Sequence, residues 1–235
     1  MSGRLEGRVA LVTGASRGIG AAAAERFAAE GAHVIAVART VGGLEELDDR
    51  IQAAGGSTTL VPLDLTDYAG IDRLGGAVAE RWGKLDVLFG NAAILGSLSP
   101  MGHSQPDEWE EVFAINVTAN FRLIRSFDPL LRVSDAGRGI FMTSGVGSKV
   151  VAYWGAYAAS KAALEHMALT YAAELNKTNV KVNVLDPGAI RTGMRAKAFP
   201  GEDPETLRPP EALNDVIVDL AAPDCARNGE VIQAY

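Results

Sequence analysis

The stretch Val9-Ala10-Leu11-Val12-Thr13-Gly14-Ala15-Ser16-Arg17-Gly18-Ile19-Gly20 carries the reading of the fold. Val9 to Thr13 is a short apolar run closed by a glycine, the pattern of a buried strand. From Ile19 to Glu30 the chain is alanine-rich and stops at Gly31, the pattern of a helix ended by glycine. Between the two, Gly14, Gly18 and Gly20 let the backbone come close to a pyrophosphate and let the helix pack tightly on a sheet. Free N–H groups and the dipole at the helix start favour the bound negative charge. The spacing is G-x-x-x-G-x-G and not G-x-G-x-x-G. Glycines in a strand-to-helix turn also serve packing alone.

Outward from this turn, apolar runs and helical patterns alternate. Strands are expected at His33–Val37, Thr58–Pro62, Leu85–Phe89, Gly139–Thr143 and Val180–Leu185, with an edge strand at Glu230–Ala234. Helices are expected at Leu44–Ala54, Tyr68–Trp82, Pro106–Phe127, Tyr157–Leu175 and Glu211–Leu220, with Ser104 as the cap of the helix at Pro106. Buried strands alternating with helices define an α/β protein: one Rossmann-like, doubly wound parallel sheet of about seven strands, with helices on both faces. Residues 1–235 read as one nucleotide-binding and catalytic domain. Prolines at 200, 204, 209 and 210 mark a substrate-loop insertion over about 191–210.

Composition excludes several classes. Of 235 residues 48% are hydrophobic, enough for a sizeable core, and a net charge of −7 argues against nucleic acid or an anionic membrane as partner. Cys225 is the one cysteine, so no intrachain disulfide forms, and His33, His103 and His166 show no ligand spacing, so no metal is expected. No apolar run is long enough to cross a bilayer. The opening Met1–Glu6 lacks the apolar stretch of a signal peptide, so a cytoplasmic location is expected.

The end of the second strand selects the nucleotide. A site for NAD places an acid there for the ribose hydroxyls, whereas a site for NADP places arginine beside the 2′-phosphate. Here the strand ends Ala38-Arg39-Thr40, and Arg17 stands in the glycine turn. Two guanidinium groups on one phosphate make a charge-assisted clamp, and NADP(H) is the expected cofactor. Solvated surface arginines are the alternative.

A second constellation lies downstream. Tyr157-Ala158-Ala159-Ser160-Lys161 puts Tyr157 and Lys161 on one face of a helix. A nearby ammonium favours phenolate and is expected to lower the phenol pKa towards useful proton transfer. Ser144, thirteen residues before Tyr157 and just past the fifth strand, lies where such sheets bind ligands. Its hydroxyl is placed to hold a substrate oxygen.

The ordered set Thr13-Gly14-x-x-x-Gly18-x-Gly20, Asp64, Asn91-Ala92-Ala93, Asn116, Ser144, Tyr157-x-x-x-Lys161 and Pro187-Gly188 resembles the short-chain dehydrogenase/reductase family, over about residues 5–195. The resemblance implies an oxidoreductase that moves a hydride between NADP(H) and a small carbonyl or alcohol substrate. It implies Tyr157 as general acid/base and Ser144 as the group that orients the substrate. Lys161 would hold the nicotinamide ribose and tune the tyrosine, and Asn116 would anchor a water that relays protons. Cofactor contacts are implied for Gly14, Ser16, Gly18, Ile19, Gly20, Ala92, Pro187 and Gly188, and for Asn91 on the adenosine side. Asp64 and Leu65 would meet the adenine, Ile190 and Thr192 the carboxamide, and Arg17 and Arg39 the phosphate. Ile94 and Trp154 would line the substrate pocket, although Tyr153 and Trp154 suit core packing equally. A homodimer or homotetramer is implied, built through the helices of Asn116 and Tyr157.

The chain departs from the family in Gly90-Asn91-Ala92-Ala93, where Asn-Asn-Ala-Gly is usual, and in a short tail after the last strand. A nucleotide-binding sensor with little turnover, or an epimerase or dehydratase on the same scaffold, are the other readings.

Overall fold

The computed structural model describes residues 3–235; Met1 and Ser2, the start of the stretch read for a leader, lie outside the described residues. Seven strands form a wholly parallel sheet in the order β3-β2-β1-β4-β5-β6-β7. They are β1 (Val9–Thr13), β2 (His33–Ala38), β3 (Ser57–Pro62), β4 (Val87–Gly90), β5 (Arg138–Met142), β6 (Lys181–Asp186) and β7 (Val231–Gln233). The central strands are buried along their whole length because both of their faces are covered.

One face packs α1 (Gly18–Ala29), α2 (Val41–Ala53) and α8 (Asn214–Ala221) around Phe27, Leu47 and Ile217. The other packs α3 (Tyr68–Trp82), α5 (Ala119–Val133) and α6 (Gly155–Glu174) around Ile71, Phe127 and Leu164. This is the Rossmann-like, doubly wound α/β fold expected from the alternation. The strand order reverses between β1 and β4, and ligands in such sheets bind at the carboxyl ends beside that reversal.

Three local expectations are corrected. The helix read as Pro106–Phe127 is instead α4 (Pro106–Phe113), a π-helical turn (Ala114–Thr118) and α5, which runs through Pro129 to Val133. The wide turn arises where Asn116 is fully buried and bonded outside its own helix. Ser104 does not cap α4: Gln105 holds the cap position, without a side-chain bond, and the Ser104 hydroxyl meets Ser99 at 3.4 Å. The insertion at 191–210 is less irregular than its prolines suggest. It holds α7 (Gly193–Ala198), with Thr192 as the capping residue, and Ile190 bridges to Arg208.

Candidate active site

A cleft of about 750 Å³ opens at the carboxyl edge of the sheet, over the strand-order reversal. Thr13 ends β1 there and ties the two halves together. Its hydroxyl accepts from the backbone N–H groups of Asn91 (3.0 Å) and Ala92 (3.1 Å), while the Asn91 amide donates to the Thr13 carbonyl at 2.9 Å. Gly14 follows with φ +66°, a conformation that disfavours side chains. A Cβ on Gly20 would collide with the Gly14 carbonyl and lie 2.6 Å from Asn91 Nδ2. Helix α1 is thus drawn against the strand ends, and its first residues, Gly18 and Ile19, line the cleft where the turn bends.

The remaining cofactor candidates fall around this turn. Ser16, Arg17, Gly18, Ile19, Arg39, Asp64, Leu65, Asn91, Ala92, Pro187, Gly188, Ile190 and Thr192 all line the cleft, and Gly20 acts from behind it. Ser16 lies against Gly43 of α2, where a Cβ would sit 2.9 Å from Ser16 Cβ, so α2 brings Arg39 and Thr40 beside the glycine turn. Arg17 and Arg39 are both exposed. Arg39 reaches Asp64 at 3.8 Å, and Asp64 is held below its ordinary pKa first by the Thr66 N–H, with the Thr66 hydroxyl and Arg39 adding. The two arginines therefore share one rim of the cleft, with one of them tethered.

At the other end stand Ser144, Tyr157 and Lys161, with Ile94 and Trp154 beside them. Ser144 lies two residues past β5 in extended backbone, and Tyr157 and Lys161 project from the first turns of α6. Asn116 does not line the cleft. Its side chain accepts from the Ile94 N–H (2.9 Å) and donates to the Ile94 carbonyl (3.0 Å) and to Ser160 (2.9 Å), so it clamps the chain after β4 onto α6. Its backbone carbonyl accepts from Asn120 Nδ2 at 2.9 Å. Gly90, where the family pattern has asparagine, makes room for that residue: a Cβ there would lie 2.5 Å from Asn120 Oδ1. Trp154 is half-buried and packs on both Tyr157 and Phe199, with ring centroids 5.9 and 5.7 Å apart.

The electrostatics correct one expectation. Burial pushes the Tyr157 phenol up to about 12; the Ser144 hydroxyl opposes this and the Asp186 carboxylate adds to it. Burial pushes Lys161 down to about 7, and its Nζ donates to the Met142 carbonyl at 2.7 Å. The ammonium therefore does not pull the phenol down as the helical spacing suggests. It is spent on a backbone carbonyl and is itself partly neutral, and desolvation governs both groups.

A stability prediction follows. The unfolded chain takes up a proton at Lys161 as pH falls below 10.5, whereas the folded chain resists until about 7, so stability is lost as pH falls through that window. Lys161→Met removes this slope. Without nucleotide, the variant should melt higher than the parent at pH 7, and the gap should close or reverse near pH 10.5, where only the lost bond to Met142 remains. Parallel melting curves across that range would refute the buried-lysine assignment.

Sequence reasoning missed Asp186 and Tyr235, and reached Arg195 only as part of the loop at 191–210. Asp186 had a signal, a lone acid ending the apolar run of β6, and it is 3% exposed. Tyr235 had none. Among the described residues no group of three or more His, Cys, Asp or Glu has metal-binding geometry, and no helix is long and apolar enough to cross a membrane.

With this geometry in place, the chain proves to match the short chain dehydrogenase family model over residues 8–203. It is 39% identical over 226 residues to the uncharacterized oxidoreductase YciK of Escherichia coli (strain K12), covering 95% of this chain and 89% of that one. A short chain dehydrogenase of Escherichia coli CFT073 complexed with NADPH superposes with a TM-score of 0.93 at 37% identity, covering 100% of this chain and 99% of that one. One from Shigella flexneri 2a str. 301 complexed with NADP gives 0.95 at 37% identity, with the same coverage. The protein belongs to the short chain dehydrogenase family and is an oxidoreductase of that family.

Proposed function

We propose that the protein is an NADP(H)-dependent oxidoreductase that interconverts a small carbonyl compound and its alcohol, with Tyr157 as the proton-transfer group. The observation that carries this reading is the convergence of Ser144, Tyr157 and Lys161 in one cleft with the glycine turn. The two relatives of known structure bind NADP and NADPH, and the cleft here suits the same group. Gly14 and Gly20 let α1 close on the strand ends, Gly18 lines the cleft without a side chain, and the rim carries Arg17 and Arg39 with no acid at the end of β2. Those residues would hold the pyrophosphate and the 2′-phosphate, Asp64 and Leu65 the adenine, and Ile190 and Thr192 the carboxamide. When bound, the nicotinamide supplies or accepts the hydride.

The chain's own groups handle the oxygen and the proton. Ser144 Oγ–H donates to the substrate oxygen and fixes it beside the phenol. Tyr157, with its pKa held near 12 by burial, stays protonated at neutral pH, and its hydroxyl is the group that gives its proton to that oxygen as carbonyl becomes alcohol. Lys161, whose Nζ donates to the Met142 carbonyl, would face the nicotinamide ribose. Asn116 holds Ile94 at the edge of the substrate space, and its carbonyl retains a lone pair for a relay water. The same reading has a cytoplasmic homodimer or homotetramer, joined through α5 and α6, and one domain whose insertion at 191–210 covers the substrate.

Separate titrations with NADPH and NADH, followed through nicotinamide fluorescence, test the cofactor assignment. NADPH should bind at least tenfold tighter, about 1.4 kcal/mol. Equal affinities, or a preference for NADH, would leave Arg17 and Arg39 as ordinary surface residues.

A further inference from the structure

Beside Ser144, a side cavity of about 250 Å³ adjoins the main cleft, sharing Ser144, Trp154, Gly188 and Arg195 with it. One wall is the carboxylate of Asp186, at the end of β6. Asp186 is 3% exposed, and among the described residues no Lys, Arg or His nitrogen lies within ion-pair distance of it. It accepts from the Gly188 N–H at 3.1 Å and from the Tyr235 hydroxyl at 3.3 Å. Two neutral donors leave acceptor capacity on both oxygens, and a buried carboxylate without a cation is costly. A Cβ on Gly145 would lie 3.3 Å from Asp186 Oδ2, so the carboxylate sits one residue from the serine that faces the reacting oxygen.

The one guanidinium in the cavity wall is already engaged. Arg195 makes two 2.6 Å bonds to Glu202 and lies 3.8 Å over the Phe199 ring. Trp154, Phe199 and Tyr235 supply aromatic walls. Aromatic faces around an unpaired carboxylate suit a cationic or hydrogen-bond-donating group on a small apolar stem.

Resting on the reading of this cleft as the substrate site, we propose that Asp186 is a specificity-determining residue, and that the side cavity takes the donor-bearing end of the carbonyl substrate, an ammonium or a hydroxyl. The cavity has room for roughly eight water-sized volumes, which admits a short stem with one donor. Asp186 accepts the donor, the aromatic walls enclose the stem, and the substrate carbonyl is left at Ser144 and Tyr157.

The test uses isosteres that need no turnover: benzylammonium, benzyl alcohol and ethylbenzene, titrated by ligand-observed NMR with and without NADPH. Benzylammonium should bind at least tenfold tighter than ethylbenzene, with benzyl alcohol between them, and Asp186→Asn should bring all three within about threefold. Tyr235→Phe keeps the ring and removes a competing donor, so its preference for benzylammonium should equal or exceed that of the parent. Three equal affinities in the parent, or an unchanged preference in Asp186→Asn, would overturn the proposal. Should Asp186→Asn not fold, loss of the preference in Tyr235→Phe overturns it as well. Absence of NADPH binding in the same samples strikes the cofactor reading instead, because the isostere affinities are measured without nucleotide too.

Discussion

Tyr157→Phe should lower turnover by about 10²- to 10⁴-fold, the usual contribution of a positioned acid, while NADPH affinity stays within several-fold. The substitution removes one hydroxyl from a ring that is 7% exposed and packed against Trp154, so the ring and its neighbours have no reason to move. On the proposed reading, what disappears is the proton donor that Ser144 sets beside the substrate oxygen. A phenol held near 12 is a weaker acid than an ordinary one but stays protonated at neutral pH, so the proton that carbonyl reduction needs is in place and is lost with the hydroxyl. Turnover within tenfold of the parent would remove Tyr157 from the proton transfer and return the epimerase and dehydratase readings to consideration.

Arg39→Asp should shift preference from NADPH towards NADH. The guanidinium is 57% exposed and is tethered only by Asp64 at 3.8 Å, so its loss costs the fold little. Its loss to a 2′-phosphate removes a charge-assisted bond of about 1.5–3 kcal/mol, or roughly ten- to a hundredfold. The new carboxylate, beside Asp64, repels the phosphate and stands where ribose hydroxyls find an acceptor. Arg17 remains, so NADPH binding weakens without vanishing. An unchanged ratio of NADPH to NADH affinity would show that the end of β2 does not read the 2′-position.

The parts of this molecule visible in the sequence are those set by burial on a regular period. Val9–Thr13 is apolar without alternation because helices cover both faces of the sheet, and the glycines at 14, 18 and 20 announce a turn that side chains would block. Burial that depends on distant packing left no such trace. Asn116 opens a π-helical turn inside a continuous helical pattern because its amide bonds to Ile94, which lies 22 residues away. Thr192, read as a cofactor contact, also caps α7, a helix of six residues hidden among prolines. The spacing of Tyr157 and Lys161 correctly put them on one face, but spacing carries no dielectric, and desolvation reversed the expected effect on the phenol. Asp186 illustrates both limits: its position at a strand end was readable, whereas its lack of a cationic partner emerges only from the fold.

The most direct test of the central claim follows the hydride itself. The protein is incubated with NADPH deuterated in turn at each of the two C4 positions of the nicotinamide, together with a panel of small aromatic aldehydes and ketones, and the alcohols are analysed by mass spectrometry. Deuterium on the carbinol carbon from one of the two labelled forms, and from one only, is the predicted result. Tight NADPH binding with no labelled alcohol from any carbonyl would contradict the oxidoreductase account of this cleft and favour a nucleotide-binding protein that does not turn over.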